Sequence, residues 1–420
     1  MLTRRAFLKS SGLALLAVGL GGTPLFLRRA VAATAQSGSH KVLVTIFQRG
    51  AMDGIMAVSP FADENLRCWR PRLALPAPGA SAEALLDLDG RFGLHPAFEP
   101  ILPLFKEKTL AIVHGVGSPD PTRSHFDQQD YMETGTPGRK GTPDGWLNRL
   151  AKELGNEASP FRAVSITKAL PRSLYGKVPA LAIENLADFG VKMPGASEIA
   201  MAAGQGFEAL YEQTSQQLLR SAGQESFEAL KILQKLDVKN YRPQQGAEYP
   251  RSPLGHSLKQ IAQLIKADVG VEIAFAESGG WDTHAQQGTT RGLFARRAHE
   301  LAQAIAAFWK DLERKQDRIV LMTMTEFGRT LAENGSGGTD HGRASCLFVL
   351  GHPVDGGKVH GTVPELAREN LEDGRDLPVT TDFRAVFSEV AGKHFGLKDA
   401  TKLFPGWNGT RLALLKAERH

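Results

Sequence analysis

The sequence predicts an α/β protein: a three-layer α/β/α sandwich with a mostly parallel central sheet. Two patterns carry the layered part of that reading. Short apolar, strand-like runs recur at residues 42–47, 109–113, 271–276, 318–324 and 345–350. They are separated by helical patterns, the strongest over residues 291–315, where Leu293, Phe294, Ala298, Leu301, Ile305, Phe308 and Leu312 form one apolar stripe. Strands alternating with amphipathic helices bury best as a sheet covered on both faces.

Taken in order, residues 42–47 are β-branched and apolar, suited to a buried first strand, and end in the turn-forming Gln48-Arg49-Gly50-Ala51-Met52-Asp53-Gly54. Residues 95–106 have helical spacing after Pro96, and residues 109–113 form a second strand followed by His114-Gly115-Val116-Gly117. The loop 118–123 feeds Ser124 into a helix over 126–133. Residues 163–167 and 178–183 are short strand candidates, residues 206–236 read as helices, and residues 254–267 resume that pattern after a proline-bearing break at 243–253. Phe308 and Trp309 read as core and rim rather than as ligand contacts.

The amino-terminal segment speaks to compartment. Thr3-Arg4-Arg5-Ala6-Phe7-Leu8-Lys9 has the form of a twin-arginine export signal, and Ala30-Val31-Ala32 is a small-x-small cleavage signature. The apolar stretch between them is short and holds Gly19, Gly21, Gly22 and Pro24, which disfavours a stable spanning helix. The expected organisation is therefore a signal peptide over residues 1–32 and one domain over 33–420. The protein would be carried by the twin-arginine translocase to the periplasm or beyond, with no stable membrane anchor after cleavage.

That division changes the charge argument. The chain has 50 Lys and Arg against 45 Asp and Glu. Residues 1–32 hold Arg4, Arg5, Lys9, Arg28, Arg29 and no acid, so 45 of each sign remain beyond them. The pI of about 9.1 belongs to the whole chain and is no sign of nucleic-acid binding. Hydrophobic residues at 42% are ordinary for a globular protein. The two cysteines, Cys68 and Cys346, are too few for an iron–sulfur or structural zinc set, and Cys346 reads as a buried strand residue.

Chemistry concentrates in two acid–histidine pairs, Asp282-Thr283-His284 and Asp340-His341, each in a glycine-rich loop after a strand-like run. Ligands of open α/β sheets gather where such loops converge. A carboxylate and an imidazole from each loop make a plausible shell for one or two divalent cations. Glu326 and Arg329 follow the strand before Asp340 and fall at the same edge. Arg329 could clamp an anionic oxygen with its planar fork, or pair with Glu326 and fix the loop. Ser124 could be a helix N-cap, and His125 could orient a phosphate-like group or pack. His95 and His114 read as structural.

The signal peptide, RGAMDG, GLHPAFEPILPLF, VHGVGSPDPTRSHF, GGWDTH and TEFGRTLAENGSGGTDHG together resemble the exported bacterial domain-of-unknown-function 1501 family, which is grouped with the alkaline phosphatase and sulfatase superfamily. The resemblance runs from about Val42 to about Phe383 and implies a metal site at one sheet edge. By that pattern Asp53 is the acid after the first strand, and Ser124 the nucleophile at a helix start, with His125 beside it. One cation would sit among Asp53, Ser124, Asp340 and His341, and a second would use Asp282 and His284, with His360 the nearest third histidine by order. The implied cofactor is a divalent metal, zinc first, with manganese or calcium as alternatives. The implied function is a periplasmic metal-dependent hydrolase of a small phosphoric or sulfuric ester. The alternative is a metal-bearing envelope binding or assembly protein without turnover. Asp282 and His284 are one residue apart where the superfamily has three, and no Cys-x-Pro-x-Arg element is present, which disfavours a formylglycine sulfatase.

Overall fold

The computed structural model describes residues 40–155, 159–189, 228–233, 236, 238–397 and 399–416. The export signal lies outside the described residues, as do most of the helices expected over 206–236. Among the described residues no helix is long and apolar enough to cross a membrane.

The first strand, β1 (Val42–Gln48), is buried along its whole length. Its alternate side chains enter two separate cores: Val42, Val44 and Ile46 pack on one side, and Leu43 and Phe47 on the other. A strand that is apolar on both faces is what a sheet between two helical layers requires. The other strands of its sheet are β2 (Leu110–Gly117), β3 (Ala163–Ser165), β4 (Leu181–Ala182), β5 (Ile273–Ser278), β6 (Ile319–Met324), β7 (Ser345–Leu350), β8 (Val359–His360) and β9 (Thr381–Asp382). They form one nine-stranded sheet in the order β8-β2-β7-β6-β1-β5-β3-β4, with β9 also on β2. Only β7 runs against its neighbours.

One helical layer contains α3 (Pro253–Lys266) and α4 (Leu293–Leu312), and the other α2 (Trp146–Leu154) and α5 (Phe383–Phe395). The helix α1 (His125–Thr134) precedes α2 and packs beside it. On α4 the predicted stripe is buried from Phe294 to Leu312, whereas Leu293 is 40% exposed. Full burial of each such side chain contributes about 1.5–3 kcal/mol.

Three elements differ from the sequence reading. The helix over 95–106 is a 3-10 segment, Pro96–Ile101, followed by the short α-helix Leu102–Lys106. Pro100 and Pro103 each remove an N–H that a continuous α-helix would use. The second strand does not stop at Val113 but continues through His114–Gly117. Gly115, with φ +71°, lets the strand pass where a Cβ would lie 2.2 Å from Thr380 Oγ1, beside a register shift in β7. Strand β5 begins two residues later than expected and runs to Ser278. Both cysteines are free thiols, Cys68 exposed and Cys346 buried in β7.

Candidate metal centre

Strands β1, β2, β5 and β6 end at one sheet edge, and the chain enters the reversed β7 from that same edge. Five loops therefore meet there. Their approach is tight. Gly50, just beyond β1, has φ +115°, and a Cβ on it would lie 2.5 Å from the backbone nitrogen of Asp282, so only glycine fits. The Gly50 N–H donates to Glu326 Oε1 at 2.8 Å, tying the loop after β1 to the loop after β6. The loop before β7 pairs back on the loop after β6 through an antiparallel bridge between Arg329 and His341.

These loops and the start of α1 bring His125, Asp282, His284 and His341 together. His341 Nε2 lies 3.0 Å from His125 Nε2 and 2.9 Å from His284 Nε2. Asp282 Oδ1 lies 3.1 Å from His284 Nε2 and 3.3 Å from His341 Nε2; its Oδ2 lies 3.6 Å from His125 Nε2. Ligand atoms of His125, Asp282 and His341 all fall within 4.8 Å of one another. Donors bound at about 2.1 Å to one tetrahedral ion are separated by about 3.4 Å, so these spacings are of the right size for a shared cation.

The opposite ring nitrogens fix the tautomer of each histidine. His125 Nδ1 donates to Glu326 Oε1 at 2.8 Å, His341 Nδ1 to the Arg123 carbonyl at 3.0 Å, and His284 Nδ1 to Asp340 Oδ1 at 3.0 Å. Each of those partners can only accept, so each Nδ1 carries the hydrogen. In the neutral rings the Nε2 lone pairs of His125 and His284 then each face that of His341, beside the Asp282 carboxylate. Such a set is repulsive until a proton or metal ion enters it. Carboxylate and carbonyl partners behind metal-bound imidazoles are the usual way that the ring is aimed and its basicity raised.

The electrostatics are consistent with that picture. The Glu326 hydrogen bond raises the pKa of His125 against the opposing effect of burial. Burial and the neighbouring His125 charge lower that of His341. Burial pushes the Asp282 carboxyl upward, but the Arg329 guanidinium and the adjacent histidines outweigh it and hold the group below the ordinary carboxylate value. Hydrogen bonds from Asn334 and His284 lower the pKa of Asp340. The site is open to solvent, with Asp282 45% and His284 43% exposed.

The residues singled out from sequence divide between this cluster and its supports. Asp340 stands behind His284, accepting also from Asn334 Nδ2 at 3.1 Å. Asp53 is not in the cluster: it is 1% exposed, and its oxygens accept from the Met56 N–H, Arg70 Nη1 and Gln287 Nε2. Arg329 does not face solvent as an anion clamp. Its guanidinium is buried and spent on the Ala51, Thr339, Gly50 and Trp281 carbonyls and on Asp282 Oδ1. Its alternative pairing with Glu326 does not form either, because Glu326 accepts from Gly50, His125 and Gln129. Ser124 is the N-cap of α1, accepting from the Asp127 N–H at 3.5 Å. His360 sits on the edge strand β8, its Nε2 2.9 Å from the Asp355 carbonyl. Trp281 is core, 1% exposed, with its N–H on Ser278 Oγ. His95 and His114 are buried and donate to the Thr289 and Val58 carbonyls.

Sequence reasoning read His125 as orienting a phosphate-like group or packing, and the structure places it in the cluster beside Asp282 and His341. It did not single out Gln287 or Arg70, which nothing local marked.

Fold and cluster define a layered α/β protein with a histidine–aspartate cluster at one sheet edge. Residues 112–404 match the family model described as "Protein of unknown function (DUF1501)", and the chain belongs to that family. No curated protein matches it. Among solved structures it is similar to Ps i-CgsB in complex with k-i-k-neocarrahexaose, at 8% identity and a TM-score of 0.39, over 88% of this chain and 75% of that one. It is also similar to the lipoteichoic acid synthase LtaP from Listeria monocytogenes, at 9% identity and a TM-score of 0.31, over 74% of this chain and 65% of that one. Likenesses of this size leave function to be argued from the site.

Proposed function

We propose that the protein is an exported metal-dependent hydrolase of a small anionic ester, with one divalent ion held by His125, Asp282, His284 and His341. The observation that supports this is the set of ligand atoms of His125, Asp282 and His341 within 4.8 Å of one another, with His284 Nε2 beside His341 and Asp282 and outer partners that fix each Nδ1–H tautomer. Three imidazoles and one carboxylate suit zinc or a similar borderline ion. Calcium, which takes oxygen ligands, fits poorly.

A metal of this class supplies Lewis acidity and an acidified water when bound. The chain's own residues do the rest. Glu326, Asp340 and the Arg123 carbonyl hold the three rings in the ligating orientation, and Arg329 holds Asp282. The amino terminus of α1 points its unpaired N–H groups and positive dipole end toward the same edge, favouring a phosphoryl or sulfuryl oxygen. Ser124, at that terminus and adjacent to His125, is the proposed nucleophile. Its Oγ accepts one capping bond, which leaves the hydroxyl hydrogen free to be transferred.

The first test is elemental analysis of purified protein beside His341→Ala. Stoichiometric zinc or a similar ion in the wild type, lost in the variant, supports the centre. A wild type that takes up no such ion after reconstitution would sink it. Phosphomonoesters, phosphodiesters and sulfate esters are then screened with Ser124→Ala as the control. Two observations favour a second reading, metal binding without turnover: Ser124 already serves as a cap, and Arg329 has no face for an oxyanion. That reading expects metal but no hydrolysis of any of the three ester classes. Export is tested by Arg4→Lys with Arg5→Lys, which should leave the protein in the cytoplasm.

A further inference from the structure

We infer that Gln287 is a positioning residue for the metal centre, setting the spacing of the two loops that carry Asp282 and His284 on one side and Asp340 and His341 on the other. This rests on the metal-binding reading above. Gln287 is fully buried, and its side chain joins three segments. Its Nε2 donates to Asp53 Oδ2 at 2.8 Å. Its Oε1 accepts from Thr283 Oγ1 at 2.8 Å and from Thr339 Oγ1 at 2.9 Å. Thr283 lies between Asp282 and His284, and Thr339 immediately precedes Asp340-His341, so the two hydroxyls it gathers flank the ligands of both loops.

The amide cannot be turned over. Its oxygen faces two hydroxyl donors and its nitrogen faces a carboxylate, so a flip would set an amide oxygen against Asp53. Asp53 is itself fixed by Arg70 Nη1 at 2.8 Å, and Arg70 donates further to the Leu331 and Thr330 carbonyls. The backbone adds to the join: the Gln287 N–H donates to the Gly337 carbonyl, and the Thr339 N–H to the Thr283 carbonyl. A buried polar network with every member partnered is rigid, and rigidity here fixes loop separation to a fraction of an ångström. Asp53, which the superfamily pattern would place on the metal, is thus the base of a chain that reaches the ligands through Gln287.

The test is titration of metal-free protein with Co2+, read by its visible absorption, for the wild type, Gln287→Met and the Thr283→Val/Thr339→Val double variant. Melting temperatures of the metal-free forms separate loss of fold from loss of site. Folded variants should bind cobalt about 10–100-fold more weakly, with a changed band shape or intensity that a purely stabilising role would not produce. Wild-type affinity and spectrum in both variants would overturn the positioning role while leaving the metal centre intact. A wild type that binds no cobalt would overturn both. Should Gln287→Met fail to fold, the valine pair, matched to threonine in shape, decides alone.

Discussion

Two groups of charged and polar side chains occupy the same sheet edge and differ in how completely they are satisfied. In the Asp53–Arg70–Gln287 group no member is more than 1% exposed, and donors meet acceptors throughout. In the His125–Asp282–His284–His341 group the side chains are 25–45% exposed, and lone pair meets lone pair. The first arrangement is complete without a ligand. The second leaves acceptors facing acceptors while the rings are neutral, which a proton or a metal ion would relieve. Acid and histidine content is a poor guide to which is which, since Asp53 follows the first strand as a metal-ligating acid would. Matching of donors to acceptors is the better criterion.

Breaking the buried group should show the largest effect, and it should fall on stability. Asp53→Ala strands the Arg70 guanidinium in the core and is expected to cost about 3–5 kcal/mol, read by denaturant unfolding. A cost near zero would mean that the pair is not buried as described. The open group should respond in the opposite manner: His341→Ala is expected to weaken metal binding by more than about 100-fold, beyond the range of an outer-partner change, with little loss of metal-free stability. A substantial fall in the metal-free melting temperature would erase the distinction between the two groups.

The pH dependence of stability sharpens the contrast from the buried side. Burial lowers the pKa of His95 and of His114 to about 4, from 6.5 in the unfolded chain. Between those values the unfolded state binds the extra proton, so stability falls as pH drops from 6.5 toward 4, by up to about 1.4 kcal/mol per pH unit for each group. Replacing His114 with Asn should flatten the profile in that window; an unchanged slope would show that His114 is not held neutral. Glu326→Gln, which weakens the hold on His125, is expected to reduce metal affinity about tenfold, measured by competition with a chelator. The smallest effect is that of Ser124→Ala on stability, about 1 kcal/mol from the lost cap. A loss of turnover far exceeding that change would separate its chemical role from its capping one.

The sequence by itself determined the layering, because burial on both faces of a strand and on one face of a helix are local patterns that hydrophobic residues write directly. It also placed Asp282, His284, Asp340 and His341 in loops beyond strands, since loop position follows from strand position. Short-range rules failed where a neighbour distant in the chain intervened. Leu293 fits the apolar stripe yet faces solvent, and β2 continues through His114 and Gly115 because β7, β9 and Thr380 receive it there. The tertiary structure alone decided which polar residues are partners. Asp53 meets Arg70 across 17 positions and Gln287 across 234, and Glu326 meets His125 across 201. Those separations carry no periodicity, so the division between the open histidine–aspartate cluster and the residues that orient it emerges only when the five loops close on one another.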